Sequence, residues 1–145
     1  MTTQTSTMTY TVSASTRAGG TASVHARTSE IAFDGSAQSG EALPGPADLL
    51  CAALSACILK NVERFSHMLP FRYESASLEV TAEREEPPPR IVRMHYRLRV
   101  VTDEPPARVE LLHKNIRKFG TITNTLAAAC ELNGEIEAVS SGGAT

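Results

Sequence analysis

The chain has 145 residues, of which 41% are hydrophobic and 21% charged, and its formal net charge is −2. These values are typical of a soluble globular domain with its own core, and they exclude a wholly disordered chain. The nearly neutral charge and the 5% aromatic content disfavour nucleic acid as a partner. The longest apolar stretch, residues 49–59, is about half of what a membrane-spanning helix needs, so no membrane partner is expected.

The cysteine content predicts a reducing compartment. Three cysteines in a chain of this length are not typical of a disulfide framework, and reduced thiols in the cytoplasm are the simpler explanation. Residues 1–7 carry no basic side chain and precede no apolar segment, so no secretory signal is expected. We expect one domain over residues 1–145, with frayed ends at 1–7 and 140–145.

The first third of the chain predicts extended structure followed by a loop. Residues 8–15 alternate between apolar and small polar side chains, which predicts a strand, and Gly19-Gly20 supplies a turn. Residues 21–33 form a second alternating run, so the two runs are expected to pair as a hairpin. Residues 34–45, rich in Gly, Ser, Ala and Gln, are expected to form a loop.

A long helix is predicted from Pro46 to about residue 67. Gly45 suits the N-cap, Pro46 suits the first helical position, and Asp48 suits the positive end of the helix dipole. The side chains of residues 49–59 are apolar almost all round, which is typical of a helix buried on nearly every side. One small sheet cannot cover such a helix, so we expect a homodimer in which the partner covers the rest.

Two strands are predicted at residues 77–83 and 90–101, where apolar and charged side chains alternate. Acidic residues on the first and arginines on the second predict an antiparallel pair with opposite charges across it. This basic stripe is expected to be a solvated strand face rather than an RNA-binding surface. Its members are Arg93, Arg97 and Arg99, and the expected partners are Glu79 and Glu83.

The last third of the chain predicts two helices and a short strand. The resulting order, β-β-α-β-β-α-α-β, predicts a two-layer α+β fold with antiparallel sheets and a long buried helix. The expected features are a helix from Pro105 or Pro106 to Gly120, a helix over 122–132, a turn at Asn133-Gly134, and a strand containing Ile136 and Val139.

Cys57 is the strongest candidate for chemistry. It lies in the middle of the predicted buried helix, within the Ala-Ala-Leu-Ser-Ala-Cys-Ile-Leu segment at 52–59. A buried cysteine is most often a small core side chain, so a core role and a reactive thiol are both open. Cys51, six residues earlier, lies on a different helix face and is expected to belong to the core.

Other residue patterns are not typical of a metal or phosphate site. The four histidines lack the spacing of metal ligands, and the Gly-Gly pairs lack the strand-to-helix context of a phosphate-binding loop. No metal and no cofactor are therefore expected. The residues concerned are His25, His67, His95 and His113, with Gly19-Gly20 and Gly142-Gly143.

The start of the long helix resembles that of the OsmC/Ohr family. In that family an Asn-Pro-Glu-Glu-Leu-Leu-type start leads into an Ala-rich helix with a peroxidatic cysteine eleven residues after the proline. This chain has Gly-Pro-Ala-Asp-Leu-Leu at 45–50, and Cys57 follows Pro46 by eleven residues. The resemblance extends over residues 8–139. It includes the strand from Pro89-Arg90-Ile91, the helix at 109–118 and Thr-Asn-Thr-Leu at 123–126.

The resemblance implies an intertwined homodimer with active sites at the subunit interface. It also implies a thiol peroxidase that reduces organic hydroperoxides in oxidative-stress defence, with Cys57 as the residue that becomes a sulfenic acid. In the family a second cysteine resolves the sulfenic acid as a disulfide, and a dithiol reduces it. A family arginine and glutamate hold the thiolate and the peroxide, because a nearby cation favours the charged thiolate.

Three features of this chain depart from the family pattern. Phe119 stands where the resolving cysteine is expected, and Ala47 stands where the family has glutamate, although Asp48 follows. The family arginine follows a Gly-Gly turn, but Thr21 occupies that position here. Arg17 or Arg27 is therefore the expected partner of the thiolate, and Asp48 the expected acidic residue.

Three functions are compatible with these observations. The first is a one-cysteine hydroperoxide reductase, in which Cys57 reacts and a small thiol resolves the sulfenic acid. The second is a non-catalytic dimer that binds a small apolar or thiol-reactive ligand at the subunit interface. The third is a structural dimer in which Cys57 is inert.

Overall fold

The computed structural model describes residues 5–142, which form six strands and three helices. The contacts divide the chain into two compact units, Met1–Leu49 and Leu50–Thr145. The elements are β1 (Ser13–Thr16), β2 (Thr21–Ala26), β3 (Ser29–Asp34), α1 (Pro46–Met68), β4 (Ser75–Glu85), β5 (Arg90–Val101), α2 (Pro106–Phe119), α3 (Thr121–Ala129) and β6 (Glu131–Val139).

The first unit contains an antiparallel sheet in the order β1-β2-β3. The predicted turn at Gly19-Gly20 is confirmed, and both glycines have φ near +99°, which side chains with a Cβ rarely adopt. The predicted strand at 8–15 begins only at Ser13, and its residues pair with Ala22 to His25 of β2.

The single extended run predicted at 21–33 is wrong. It is two strands, β2 and β3, which pair with each other across a turn at Arg27 and Thr28. Arg27 has φ of +55°, which is uncommon for a residue other than glycine. The turn contains no Gly, Asn or Asp, so the usual hairpin signal was missing from the sequence.

Helix α1 begins at Pro46 and ends at Met68, close to the predicted bounds. It is less buried than its composition predicts, because its buried face is one stripe and the small residues Ala52 and Ala56 are exposed. The methyl group of alanine adds little apolar surface. The run of apolar residues at 49–59 therefore overestimated how much of the helix surface must be buried. The buried residues of the stripe are Leu54, Ile58, Asn61, Val62 and Phe65.

The second unit is a sheet in the order β4-β5-β6 with helices on one face. Strands β4 and β5 pair antiparallel over their full predicted lengths, which confirms that prediction. The inner side chains of β5 are almost completely buried and pack against α1, α2 and α3. These side chains are Met94, Tyr96, Leu98 and Val100, each 0–1% exposed.

The outer face of this sheet carries the basic stripe as a set of exposed ion pairs. Arg93 binds Glu83 at 2.5 Å, as predicted. Arg97 lies opposite Glu79 in the register, but its guanidinium contacts Glu135 of β6 at 3.1 Å. Exposed pairs of this kind contribute little to stability, and here they satisfy the charges of a solvated face.

The chain after α3 differs from the sequence prediction. Helix α3 ends at Ala129, and residues 131–139 form one long strand, so the helix predicted to reach 132 and the turn predicted at Asn133-Gly134 are wrong. Strand β6 runs parallel to β5, because the connection through α2 and α3 returns the chain to the same end of the sheet. The sheet is therefore mixed rather than antiparallel.

A buried tyrosine explains the glycine within β6. A Cβ on Gly134 would lie 2.0–2.3 Å from ring atoms of Tyr96, so the ring occupies the space that a side chain would need. The Tyr96 hydroxyl and His113 Nε2 lie 2.6 Å apart, which provides the hydrogen bond that a buried phenol requires. Arg117 of α2 donates to the Leu132 carbonyl at 3.2 Å and completes this polar cluster.

We expect Gly134→Ala to destabilise the protein by about 1–3 kcal/mol or more, because overpacking forces a completely buried ring to move. Urea unfolding followed by circular dichroism measures the change. Gly142→Ala is the matched control, since its Cβ meets no atom within 4 Å. Equal unfolding midpoints for Gly134→Ala and the wild type would contradict the assigned packing.

The histidine of this cluster predicts a pH dependence of stability. Burial, and then the positive charge of Arg117, lower the pKa of His113. The unfolded chain takes up this proton near pH 6.5, whereas the folded chain resists it. The contribution of neutral His113 to the free energy of unfolding is therefore complete above about pH 6.5. It is lost as the pH falls through the lowered pKa of His113.

We expect the free energy of unfolding of the wild type to fall more steeply between pH 7.5 and 5 than that of His113→Gln. Urea titrations at several pH values measure both slopes. His67→Gln serves as the control, because the His67 side chain is 76% exposed. Parallel curves for the wild type and His113→Gln would show that His113 does not carry this dependence.

Candidate functional site

The candidate cysteine lies at the edge of the buried stripe of α1. Cys57 is half-buried, between the exposed Ala56 and the completely buried Ile58. A helix turns about 100° per residue, so this position is the boundary between the core and the outer surface. The thiol is therefore neither sealed in the core nor fully solvated.

The amide of Asn61 is the first polar partner of the thiol. Its Nδ2 donates to Cys57 Sγ at 3.7 Å, from one helical turn further along α1. The Asn61 residue is only 7% exposed, in a stripe that is otherwise apolar. A buried amide needs a hydrogen-bond partner, so the Asn61 side chain is held in one orientation by its contact with the sulfur.

The hydroxyl of Thr123 is the second polar partner. Its Oγ1 lies 4.0 Å from Cys57 Sγ, and the residue is 3% exposed on the first turn of α3. The corner between α2 and α3 allows this approach only with glycine, because a Cβ on Gly120 would lie 2.7 Å from Thr123 Oγ1. Gly120 thus positions the hydroxyl beside the sulfur.

These contacts define what the site can do chemically. Donors that bind sulfur favour the thiolate over the thiol, and the thiolate is the nucleophile. Both described contacts are with neutral groups. Cys57 is also three turns from the helix start, where the helix dipole has little effect. The second unit therefore supplies hydrogen bonding to the Cys57 sulfur, and neither of these two contacts is with a cation.

The two candidate arginines lie in the first unit. Arg17 precedes the Gly19-Gly20 turn, and its backbone bonds Thr21 and Gly20. Arg27 occupies the turn between β2 and β3, and both side chains are exposed. The six residues of β2 place them about 20 Å apart, at opposite ends of the first sheet.

The structure places the Asp48 carboxylate at the start of α1. Its Oδ2 accepts a hydrogen bond from the Gly45 backbone N–H at 2.9 Å. This is the reciprocal half of a capping box, in which the third helical residue binds the N-cap backbone. The predicted acidic site residue thus stabilises the helix that carries Cys57.

The ring of Phe119, at the position where the resemblance predicts a resolving cysteine, packs against a second aromatic ring. Phe119 ends α2 and is 48% exposed, and its ring packs against Phe65 with centroids 5.7 Å apart. Cys130 follows α3, and its thiol donates to the Leu126 carbonyl at 3.4 Å. No disulfide links the cysteines, all three of which lie within residues 5–142.

Among residues 5–142, no three side chains of His, Cys, Asp or Glu converge in a way that could hold a metal ion. Within the same range, no helix is both long enough and apolar enough to cross a bilayer.

The sequence patterns singled out Cys57 as a candidate but not the two polar side chains that contact its sulfur. Asn61 was detectable as a polar residue four positions after Cys57 in an apolar stripe, which is the spacing of helix neighbours. Thr123 carried no comparable signal, because 66 residues separate it from Cys57 along the chain. Only the packing of α3 brings the two together.

The fold and the site define a class of protein: an α+β protein whose longest helix carries a cysteine held by buried polar side chains. The family model for OsmC-like proteins matches residues 38–135, which is more than half of the chain. The chain therefore belongs to the OsmC-like family. No curated protein matches it in a sequence search.

Solved structures have the same fold at low sequence identity. The OsmC-like protein from Mycoplasma pneumoniae is 16% identical, with a TM-score of 0.83 over 91% of this chain and 98% of that chain. The organic hydroperoxide resistance protein OsmC from Legionella pneumophila is 14% identical, with a TM-score of 0.73 over 90% and 99%. An OsmC-like protein of unknown function from Vibrio cholerae is 17% identical, with a TM-score of 0.79 over 90% and 100%.

We expect Asn61→Leu to slow the alkylation of Cys57 by iodoacetamide at pH 7 about three- to tenfold, because it removes a donor that stabilises the thiolate. The rate is measured in a Cys51→Ser, Cys130→Ser background, so that only Cys57 reacts. Asn115→Leu is the matched control, since its amide bonds the Leu111 carbonyl instead. An unchanged rate in Asn61→Leu would exclude this role of the amide.

Proposed function

We propose that this protein is a one-cysteine, thiol-dependent organic hydroperoxide reductase. The observation that carries the proposal is the half-buried Cys57 thiol, which two buried polar side chains, Asn61 and Thr123, contact. Membership of the OsmC-like family supports it. So does the fold shared with organic hydroperoxide resistance proteins from Legionella pneumophila and Elizabethkingia anophelis.

The proposed reaction has three steps. The Cys57 thiolate attacks a peroxide oxygen, so that an S–O bond forms, the O–O bond breaks and the alkoxide leaves as the alcohol after taking a proton. A small thiol then attacks the sulfur of the sulfenic acid, which forms a mixed disulfide and releases water. A second small thiol attacks this disulfide and restores the Cys57 thiolate. The two thiols are oxidised to a disulfide, and the hydroperoxide is reduced by two electrons.

An external thiol is required because the chain lacks a resolving cysteine at the family position. Phe119 occupies that position, and its ring packs at a tilt against Phe65. Cys51 is six residues from Cys57 on the same helix, which is about 9 Å of rise, more than a disulfide allows. Cys130 is held at the end of α3 by the Leu126 carbonyl. We therefore expect no intramolecular disulfide in high yield.

The proposal also assigns a cation to the thiolate. Either Arg17 or Arg27 supplies it, and Asp48 is the proposed acidic residue of the site. A positive charge is required in addition to hydrogen bonds, because burial alone disfavours a thiolate. The separation of the two arginines by β2 makes them alternatives rather than partners.

The proposed assembly is a cytoplasmic homodimer. Large apolar side chains are exposed in both units, which supports an interface that covers them. The reduced state required of Cys57 suits a reducing compartment. The exposed residues proposed to lie in this interface are Met8, Tyr10, Val12, Ile31 and Leu43 in the first unit, and Met68 and Leu111 in the second.

A non-catalytic role is the second candidate. The observation that favours it is the neutral character of both contacts to the Cys57 sulfur. A protein with this arrangement could hold a small apolar or thiol-reactive ligand without turning over a peroxide. The following experiment separates the two functions.

We expect Cys57→Ser to abolish turnover of cumene hydroperoxide with a small thiol as reductant, because serine has a similar volume but is a far poorer nucleophile. Consumption of the peroxide measures turnover. Light scattering checks that the variant keeps twice the chain mass, as the wild type is expected to.

Cys51→Ser and Cys130→Ser are the matched controls, and both should retain most of the activity. After one equivalent of peroxide, peptide mapping should find Cys57 as a sulfenic acid, a mixed disulfide or a sulfinic acid. Unchanged turnover in Cys57→Ser would assign the chemistry to another residue. No turnover by the wild type with any thiol would favour the binding role.

A further inference from the structure

Two cations flank an aromatic pair on the same side of α1 as the candidate thiol. The rings of Phe65 and Phe119 pack with centroids 5.7 Å apart. Lys118 Nζ lies 5.3 Å from the centroid of Phe119, and Arg64 Cζ lies 5.8 Å from that of Phe65. We refer to these four residues as the cationic aromatic patch.

The patch lies two helical turns from Cys57. Arg64 follows Cys57 by seven residues, which places the two side chains within about 20° of the same direction and about 10 Å apart along α1. The α2–α3 corner faces α1 along this stretch. Phe119 and Thr123 lie on either side of Gly120 in the corner. Thr123 of this corner contacts Cys57, and Phe119 contacts Phe65. These two contacts mark the two ends of the surface between the thiol and the patch.

The charges of the patch are available to a ligand. Arg64, Lys118 and Phe119 are exposed, and no carboxylate of residues 5–142 lies within ion-pair distance of either cation. The carboxylate of Glu63, next to Arg64 in the chain, is taken by Tyr73 and His67. Exposed cations beside an exposed ring favour a ligand that combines carbon atoms with negative charge.

We propose that the reductant of this protein is an anionic monothiol of about tripeptide length, whose carboxylates bind Arg64 and Lys118 while its sulfur reaches Cys57. This inference rests on the proposed function and names its second substrate. Arg64 lies about 10 Å from Cys57 along α1, and a peptide of about three residues is long enough to cover this distance. The replacement of a resolving cysteine by Phe119 thus provides a surface for an external thiol.

In the resolving step the external thiol displaces the oxygen of the sulfenic acid. The incoming thiolate sulfur attacks Cys57 sulfur, so that an S–S bond forms, the S–O bond breaks and hydroxide leaves as water after taking a proton. A second molecule of the same thiol then attacks the mixed disulfide. It releases the symmetrical disulfide and the Cys57 thiolate, and the electrons come from the two thiols.

The test compares two probes with the same peptide and thiol, glutathione, whose carboxylates are free, and glutathione diethyl ester, whose carboxylates are esterified. Cys57 is first oxidised with one equivalent of cumene hydroperoxide in the Cys51→Ser, Cys130→Ser background. The rate of mixed-disulfide formation is then followed by mass spectrometry. We expect glutathione to react about three- to tenfold faster than its ester at low salt, and this preference to shrink at high salt because exposed charges are screened.

Arg64→Gln with Lys118→Gln should abolish the preference and leave the rate with the ester unchanged, whereas Lys118→Arg alone should retain it. Arg90→Gln, which removes one charge at the start of β5, is the matched control and should behave as the wild type. Equal rates for the two probes, or a preference that survives the double variant, would overturn this inference alone. If dimedone detects no sulfenic acid at Cys57, the proposed function fails, and this inference fails with it.

Discussion

The packing of one helical stripe against one sheet face sets the position of everything at the candidate site. Leu54, Ile58 and Val62 of α1 are 0–1% exposed against the inner side chains of β5. Each such side chain contributes about 1.5–3 kcal/mol by its burial. A rotation of α1 by one residue would move all three out of the core. The helix therefore has one orientation, and that orientation places Cys57 at the boundary of the core.

The second constraint is the sharp corner between α2 and α3. Gly120 permits the close approach of Thr123, while Phe119 on its other side packs against Phe65. The same corner thus contributes a hydroxyl to the sulfur and an aromatic ring to the surface beside it. The sulfur and the cationic aromatic patch belong to a single packing arrangement rather than to two independent features. A change at the corner affects both.

Much of the fold was predictable because its signals are local. The alternation in β4 and β5, the proline starts of α1 and α2, and the break at Gly120 all appear where the pattern places them. Two failures have different causes. The turn at Arg27 has no glycine and follows from the pairing of β2 with β3, whereas Gly134 is typical of a turn although it lies in a strand. At Gly134 the contact with the distant ring of Tyr96 overrides the local preference of the chain.

The sequence by itself determined the α+β class, the long helix and the presence of Cys57 within it, because periodicity and helix-start chemistry depend on near neighbours. Only the tertiary structure decided that β6 runs parallel to β5 and that Gly134 makes room for Tyr96. It also decided which groups contact the sulfur. Asn61 is one turn away on the same helix, but Thr123 is 66 residues distant. A pattern along the chain carries no information about such a pair, because the distance between them is set by the packing of whole helices.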